Sequence, residues 1–297
     1  MISFNKAILS KEIQEFIKNN SSTDVSELVL KGIPFSEELK QDIINQIEAK
    51  QRSEKKLPTW FNTKNIYYPS KLNIEQTSSE ITAKHKANLL SGNTLIDLTG
   101  GFGVDSYYFS KSIKSVVYCE INKDLSQIAE HNSSVLKASN ITFYSENGID
   151  VLKKINKTFD WIYLDPSRRD DLKGKVFLLK DCLPNAPKHL DLFFSYSKNI
   201  IIKTSPLLDI SSGLNELSNV KTIHCIAVNN EVKELLWILE SNFNGKTTIN
   251  TVNIKNEDTE NFSFIFNEEK QEEANYNLPL THLYEPNVAI LKSGAFN

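Results

Sequence analysis

The sequence is poor in the residues that staple or metallate small folds. Three cysteines, Cys119, Cys182 and Cys225, stand far apart with no C-x-x-C spacing, which argues against a zinc ribbon or a disulfide framework and reads as reduced cytosolic thiols. His85, His131, His189 and His224 are equally dispersed and make no ligand spacing. No apolar run approaches membrane-spanning length, and the N-terminal "MISFNKAILSKEIQEF" has no apolar signal core. Charge of one sign is lacking too: the net charge is −3 over 297 residues, so no global attraction to nucleic acid or anionic membrane follows, although a local basic patch stays open. Internal repeats and long low-complexity tracts are missing. A cytoplasmic protein is therefore expected, with 40% hydrophobic residues, enough to build the core of one large domain and a smaller one.

What is present falls into segments. Residues 1–57 read as a small helical subdomain, with Ile13, Phe16 and Ile17, then Leu39, Ile43, Ile44 and Ile47, at helical spacing and Ser10 and Ser36 as N-caps. Residues 58–89 form a basic and aromatic connecting segment. From 90 to 245, the β-rich runs "TLIDL", "SVVYCE", "NITFYS", "FDWIYLD", "NIIIKT" and "KTIHCIAV" alternate with helix-patterned stretches. That alternation predicts an α/β fold with a mostly parallel, Rossmann-like open sheet. "NNEVKELLWILE" follows a short polar break that suits a hairpin, so one antiparallel strand is expected. Residues 246–297 read as a β-rich C-terminal extension.

The loop in "TLIDLTGGFGVDS" sits where open α/β sheets bind ligands, at the end of the first strand. Gly100, Gly101 and Gly103 remove side chains where a ligand meets backbone, and the following helix offers free N–H groups to an anion. A dinucleotide fingerprint would need a third glycine where Ser106 stands. Asp97 and Asp105 would repel a pyrophosphate, whereas they suit an ammonium and a sulfonium, which points to S-adenosylmethionine. Glu120 closes the second strand about 20 residues on, the place of a carboxylate that accepts ribose hydroxyls. Asn147 or Glu146 after the third strand could bond the adenine amine, although Asn-Gly is also simply a turn.

The fourth strand ends in "LDPSRRD", because a proline cannot continue a central strand. Asp165 is thereby expected at the ligand edge of the sheet, as a hydrogen-bond or proton acceptor near the reacting atom or as an Asx-turn cap. Arg168 and Arg169 could clamp phosphate or carboxylate groups, or be neutralised by Asp170 and Asp171. Between residues 50 and 71, Lys50, Arg52, Lys55, Lys56, Lys64 and Lys71 are interleaved with Trp60, Phe61, Tyr67 and Tyr68. Either this is a surface that pairs with phosphates and stacks on unpaired bases, or its aromatics pack inward and its lysines are merely solvated.

Taken together, "LNIEQTSSEITAKHKANLL", "LIDLTGGFGVD", "YCEIN", "LDPSRRD", "IIIKTSPLLDI" and "VKELLWIL" resemble the class I S-adenosylmethionine-dependent methyltransferases. Within them the chain most resembles a bacterial, Bacteroidetes-type group with a C-terminal THUMP-like domain, and it is distantly similar to RNA-modifying trimethylguanosine synthases. The resemblance implies a seven-stranded methyltransferase sheet with Asp97, Gly101, Gly103 and Glu120 at the cofactor. Thr99, Gly100, Phe102, Asp105, Ile121, Asn147, Gly148 and Asp165 would complete that set, with Gln76, Thr77 and Ser78 covering the methionine end. Asp165, Pro166, Ser167 and Arg168 would take the place of the fourth, catalytic motif. Lys55, Lys56, Trp60, Arg168 and Arg169 would meet the substrate.

Enzymes acting on exocyclic amines typically carry a second proline and an aromatic where Ser167 and Arg168 stand, so that motif does not support a base amine. No cysteine closely follows the fourth or fifth strand, which disfavours pyrimidine carbon methylation. The expected activity is methylation of RNA, rRNA or tRNA, without a metal. A methyltransferase for a protein or small molecule, and a cofactor-binding RNA module without catalysis, are the alternatives. Similar proteins continue past residue 297 into the THUMP-like domain, so a truncated version is expected.

Overall fold

The apolar positions at helical spacing in the N-terminal third do form helices, because they place buried aliphatic side chains on one face. In the computed structural model, which describes residues 4–168, 178–255, 258–268 and 284–295 together with Glu273, residues 277–278 and 281–282, these are α1 (Lys11–Asn19), α2 (Val25–Lys31) and α3 (Glu37–Lys56). Ile13 and Ile17 of α1 and Ile43 and Ile47 of α3 are buried. Ser10 and Ser36 occupy the N-cap positions, but neither hydroxyl accepts a capping hydrogen bond. Pro58 stops α3 and opens α4 (Pro58–Asn62), where its missing N–H costs nothing.

By packing, the chain divides into two units, Met1–Ile155 and Asn156–Asn297. The boundary falls inside the segment 90–245 that the sequence reads as one domain. In the first unit, α5 (Lys71–Gln76) and α6 (Glu80–Asn88) lead to β1 (Thr94–Asp97), α7 (Val104–Ser112), β2 (Ser115–Cys119), α8 (Lys123–Val135), β3 (Ile141–Tyr144) and α9 (Gly148–Ile155). The three strands pair in parallel in the order β1-β2-β3, with Ile96 opposite Val117 and Val117 opposite Thr142. The stretch between α4 and α5 has no strand partner among the described residues, and its buried backbone is satisfied by side-chain amides instead. Asn132 both accepts from the Tyr67 N–H (2.9 Å) and donates to its carbonyl (2.8 Å). Gln46 does the same for Tyr68, at 2.8 and 2.6 Å.

The second unit opens with β4 (Phe159–Leu164), the short arm β5 (Ser167–Arg168) and β6 (Cys182–Leu183), then α10 (Ala186–Tyr196), β7 (Ser197–Thr204) and α11 (Ile210–Glu216). It continues with β8 (Val220–Val228), β9 (Glu231–Glu240), β10 (Thr248–Ile254), β11 (Thr259–Ile265) and α12 (Val288–Ser293). Its strands lie in the order β4-β7-β9-β8-β10-β11. β7 is parallel to β4, and β9 slots between β7 and β8, antiparallel to both. The tight hairpin from β8 to β9 turns on Asn229 and Asn230, both in the left-handed region (φ 50° and 59°), as a two-residue turn matching the strand twist requires. Trp237 of β9 is fully buried and donates to Thr204 Oγ1 at 3.0 Å.

Within 246–297, read as a β-rich C-terminal extension, β10 pairs in parallel with β8, β11 pairs antiparallel with β10, and α12 packs on β8 and β10, so these elements join the second unit. Strand–helix–strand crossovers and mostly parallel pairing make the fold Rossmann-like, as the alternating pattern predicts, but β11 adds a second antiparallel strand in addition to β9 where the sequence led to one.

Candidate cofactor loop and acceptor turn

Asp97 ends β1 with 1% of its surface exposed. One carboxylate oxygen accepts the Thr99 N–H at 3.0 Å and the other the Ser106 hydroxyl at 2.6 Å, tying the strand end to the first turn of α7. The Gly100 N–H crosses to the Cys119 carbonyl at 2.8 Å, and the Gly103 N–H returns to the Gly100 carbonyl at 2.9 Å. The three glycines have different jobs. A Cβ on Gly100 would lie 2.1 Å from the Tyr118 ring, and one on Gly103 3.2 Å from Ala129 Cβ. At Gly101 (φ +55°) the nearest atom would be the Thr99 carbonyl at 3.8 Å, so this is the position with open room.

Glu120 follows β2 and closes onto the same loop: Oε2 accepts the Gly101 N–H at 2.9 Å and Oε1 the Asn122 N–H at 2.8 Å. Tyr118 lies beneath, its hydroxyl donating to the Gly101 carbonyl at 2.5 Å. Burial first, then the negative charges of Glu120 and Asp97, push the Tyr118 hydroxyl well above its usual pKa, so it stays protonated as a donor. Burial and Asp97 likewise push the Cys119 thiol up, which makes it a poor nucleophile. Ile121, 72% exposed, leaves an apolar face beside the acid.

Several residues expected at the ligand are committed to packing instead. Asp105 is 9% exposed, and its carboxylate faces Lys86 Nζ at 2.9 Å and the Ser78 hydroxyl at 2.8 Å. Its charge is therefore neutralised by a buried lysine and does not stand as an open acid for an ammonium. Phe102 is 3% exposed and packs near Trp60, with ring centroids 6.2 Å apart. Gly148 is required because a Cβ would meet the Leu98 carbonyl at 2.4 Å. Asn147 caps α9, accepting from the N–H groups of Ile149 (2.9 Å) and Asp150 (3.4 Å), and Glu146 pairs with Lys154 at 2.9 Å, so neither is held ready for an adenine amine. Of the covering segment, Ser78 is buried while Gln76 is exposed and Thr77 half-buried.

The connecting segment turns its aromatics inward. Trp60, Tyr67 and Tyr68 are at most 2% exposed, so Trp60 is a core residue rather than a base-stacking platform. It packs edge-on against Tyr107 at 5.0 Å, and its indole N–H has no partner among the described residues. Lys50 is buried, its pKa lowered by desolvation and then by Lys18, and donates to the Phe61 carbonyl at 2.5 Å. Arg52 and Lys56 reach Glu75, at its carboxylate and its carbonyl, each at 2.7 Å. Lys55, Lys64 and Lys71 remain exposed.

In the second unit, Asp165 directly follows β4, and Pro166 ends that strand. Ser167 and Arg168 turn into β5, opposite Leu183 and Cys182. Lys203, near the end of β7, places Nζ 2.5 Å from Asp165 Oδ2, with 12% and 31% of the two side chains exposed. Sequence reasoning missed Lys203, although a lone lysine inside the apolar run "NIIIKT" is the signal that could have found it. Arg169, Asp170 and Asp171 lie outside the described residues.

No protein-family model and no curated protein matches the chain. Among solved structures, a candidate methyltransferase from Porphyromonas gingivalis W83 aligns over all of this chain and 74% of that one, at 29% identity and a TM-score of 0.85. An O-methyltransferase from Bacillus cereus in complex with SAH aligns over 76% of this chain and all of that one at 12% identity, with a TM-score of 0.45, too low to carry an argument. The whole-chain likeness to the first, joined to the loop geometry above, makes the chain a methyltransferase of Rossmann-like fold.

Proposed function

We propose that the chain transfers the methyl group of S-adenosylmethionine to a nucleophile on RNA, rRNA or tRNA. The observation that carries the cofactor reading is the bond from the Gly101 N–H to Glu120, which brings the acid after β2 onto the one glycine of the loop with open space. Each Glu120 oxygen has accepted one N–H and keeps a lone pair for a ribose hydroxyl. Ile121 offers an apolar face for the adenine, and the first turn of α7 offers N–H groups to the carboxylate of the methionine. The negative charge of Asp97 at the strand end favours a cationic ligand over a pyrophosphate. When bound, S-adenosylmethionine supplies an electrophilic methyl on a sulfonium.

The acceptor falls to Asp165, Pro166, Ser167 and Arg168, on the strength of the resemblance in "LDPSRRD". Asp165 would accept a hydrogen bond or proton from an acceptor amine or hydroxyl, and Lys203 holds its carboxylate in place. RNA as the substrate class rests on the resemblance and on exposed Lys55, Lys64 and Lys71, which suit phosphates. Calorimetry is expected to show heat with S-adenosylmethionine and its demethylated product. No heat with either, against a clear signal with NAD, would overturn the cofactor. Labelled methyl should then appear in total RNA from cells lacking the enzyme; label only in protein or metabolite pools would replace RNA as the substrate.

A further inference from the structure

We infer that Lys86 is a positioning residue for the methionine end of the cofactor: with Asp105 it clasps the covering segment 76–78 to the helix that follows the glycine loop. The inference rests on the cofactor reading above.

Lys86 lies on α6 with none of its side chain exposed. Its ammonium sits 2.9 Å from Asp105 Oδ1 and donates to Ser78 Oγ at 2.7 Å, while the Ser78 hydroxyl donates to Asp105 Oδ2 at 2.8 Å. The three groups thus close a ring of two hydrogen bonds through the Ser78 hydroxyl and one ion pair between Lys86 and Asp105. Taking an ammonium out of water is costly, and apolar residues of the same volume often stabilise a core as well or better. A buried pair is better explained where two elements must meet in one register. Here the elements are distinctive. Ser78 directly continues Gln76 and Thr77, and Asp105 stands next to Ser106, whose hydroxyl holds Asp97 at the end of β1.

The clasp therefore connects the cover to the loop in one step of chain. Its environment is dry: the neighbouring His85 has its pKa lowered by burial and then by the Lys86 charge. Asp105, read from sequence as a ligand acid, becomes the anchor of the clasp. The reading also explains why Ser78 is buried while Gln76 and Thr77 keep exposed surface. The anchor is inside, and the two residues ahead of it are presented outward.

The test compares ligands with and without the methionine arm. Replacing both charges by apolar groups of similar volume, Lys86→Met with Asp105→Leu, avoids leaving a lone buried charge. In this variant the affinities for S-adenosylmethionine and its demethylated product are expected to fall about tenfold, the cost of ordering roughly one residue's backbone. Adenosine, which lacks the arm, should bind as in the parent. A purely structural role would weaken all three alike. Equal loss for adenosine, or affinity for S-adenosylmethionine within about twofold of the parent, would overturn the inference.

The parent protein gives a second reading that needs no variant. S-adenosylmethionine should slow amide hydrogen exchange at 77–79 and along α6, and adenosine should not. The same slowing with both ligands would count against the clasp. If the parent binds neither S-adenosylmethionine nor its product, the cofactor reading itself falls; if it binds both and the double variant behaves like the parent, only the role of Lys86 falls.

Discussion

Gly100, Gly101 and Gly103 look alike in the sequence and answer three different physical demands. Gly101 and Gly103 adopt positive φ (55° and 83°), which an L side chain resists. Gly100 does not, yet it is the one with no space, because Tyr118 from β2 lies against it. Spacing alone could point to a ligand loop, but which glycine has open room depends on a ring eighteen residues on. The substitution Gly100→Ala should therefore act on stability before it acts on binding. Its methyl group would have to displace a fully buried ring, an overpacking cost of about 1 to 3 kcal/mol, read as a lowered urea midpoint with an unchanged slope. A midpoint equal to the parent's would mean that Tyr118 moves aside at no cost. Spacing is equally blind to the burial of Phe102, Asp105 and Trp60. Each carries a residue type common at ligand sites, and each is buried against partners remote in sequence.

Helix α6 shows what is lost at the scale of one element. In "SSEITAKHKANLL", Glu80 and Lys86 are at most 2% exposed, although charged side chains are rarely buried without partners. Glu80 accepts the Thr59 N–H at 2.5 Å, the Thr59 hydroxyl at 2.8 Å and the Tyr108 hydroxyl at 2.7 Å, so one carboxylate joins α4, α6 and α7. Its partners stand 21 residues before and 28 after it, which no periodicity could display. Burial, then the bond to Glu80, pushes the Tyr108 hydroxyl pKa up and keeps it a donor. Glu80→Ala would strand these neutral donors in the interior and should cost about 1 to 3 kcal/mol, the penalty of a buried donor left unsatisfied, measurable by urea unfolding.

The same helix also predicts a pH dependence. His85 has its folded-state pKa lowered by burial and then by Lys86. Above the usual histidine value of about 6.5, folded and unfolded chains are both neutral at this site, and its contribution is fully present. As pH falls through that value, the unfolded chain takes up a proton that the folded one refuses, so stability drops until the lowered folded pKa is reached. The urea midpoint should therefore fall between about pH 7.5 and pH 5.5, and His85→Gln should flatten that part of the curve.

For the whole molecule, the alternation of six β-rich runs from Thr94 to Val228 was legible because each parallel strand needs a crossover helix, and both leave a pattern in one dimension. The β8–β9 hairpin was legible from Asn229 and Asn230 for the same local reason. That β10 and β11 extend the sheet of the second unit was not, since their neighbour β8 is chosen by non-local pairing that a β-rich run cannot announce. The residues proposed for the cofactor, apart from Asp165, all fall in the first unit, Met1–Ile155, and this gives ligand stabilisation a measurable size. S-adenosylmethionine at a hundred times its dissociation constant should stabilise the native state by about 2.7 kcal/mol. With about 2.1 cal/mol/K of unfolding entropy per residue, that amounts to a rise in midpoint of about 4 °C if all 297 residues unfold together. If the 155 residues of the first unit unfold by themselves, the rise is about 8 °C. A thermal scan with and without the ligand thus reports both binding and the size of the cooperative unit, and a rise no larger than NAD produces at the same concentration would count against the cofactor.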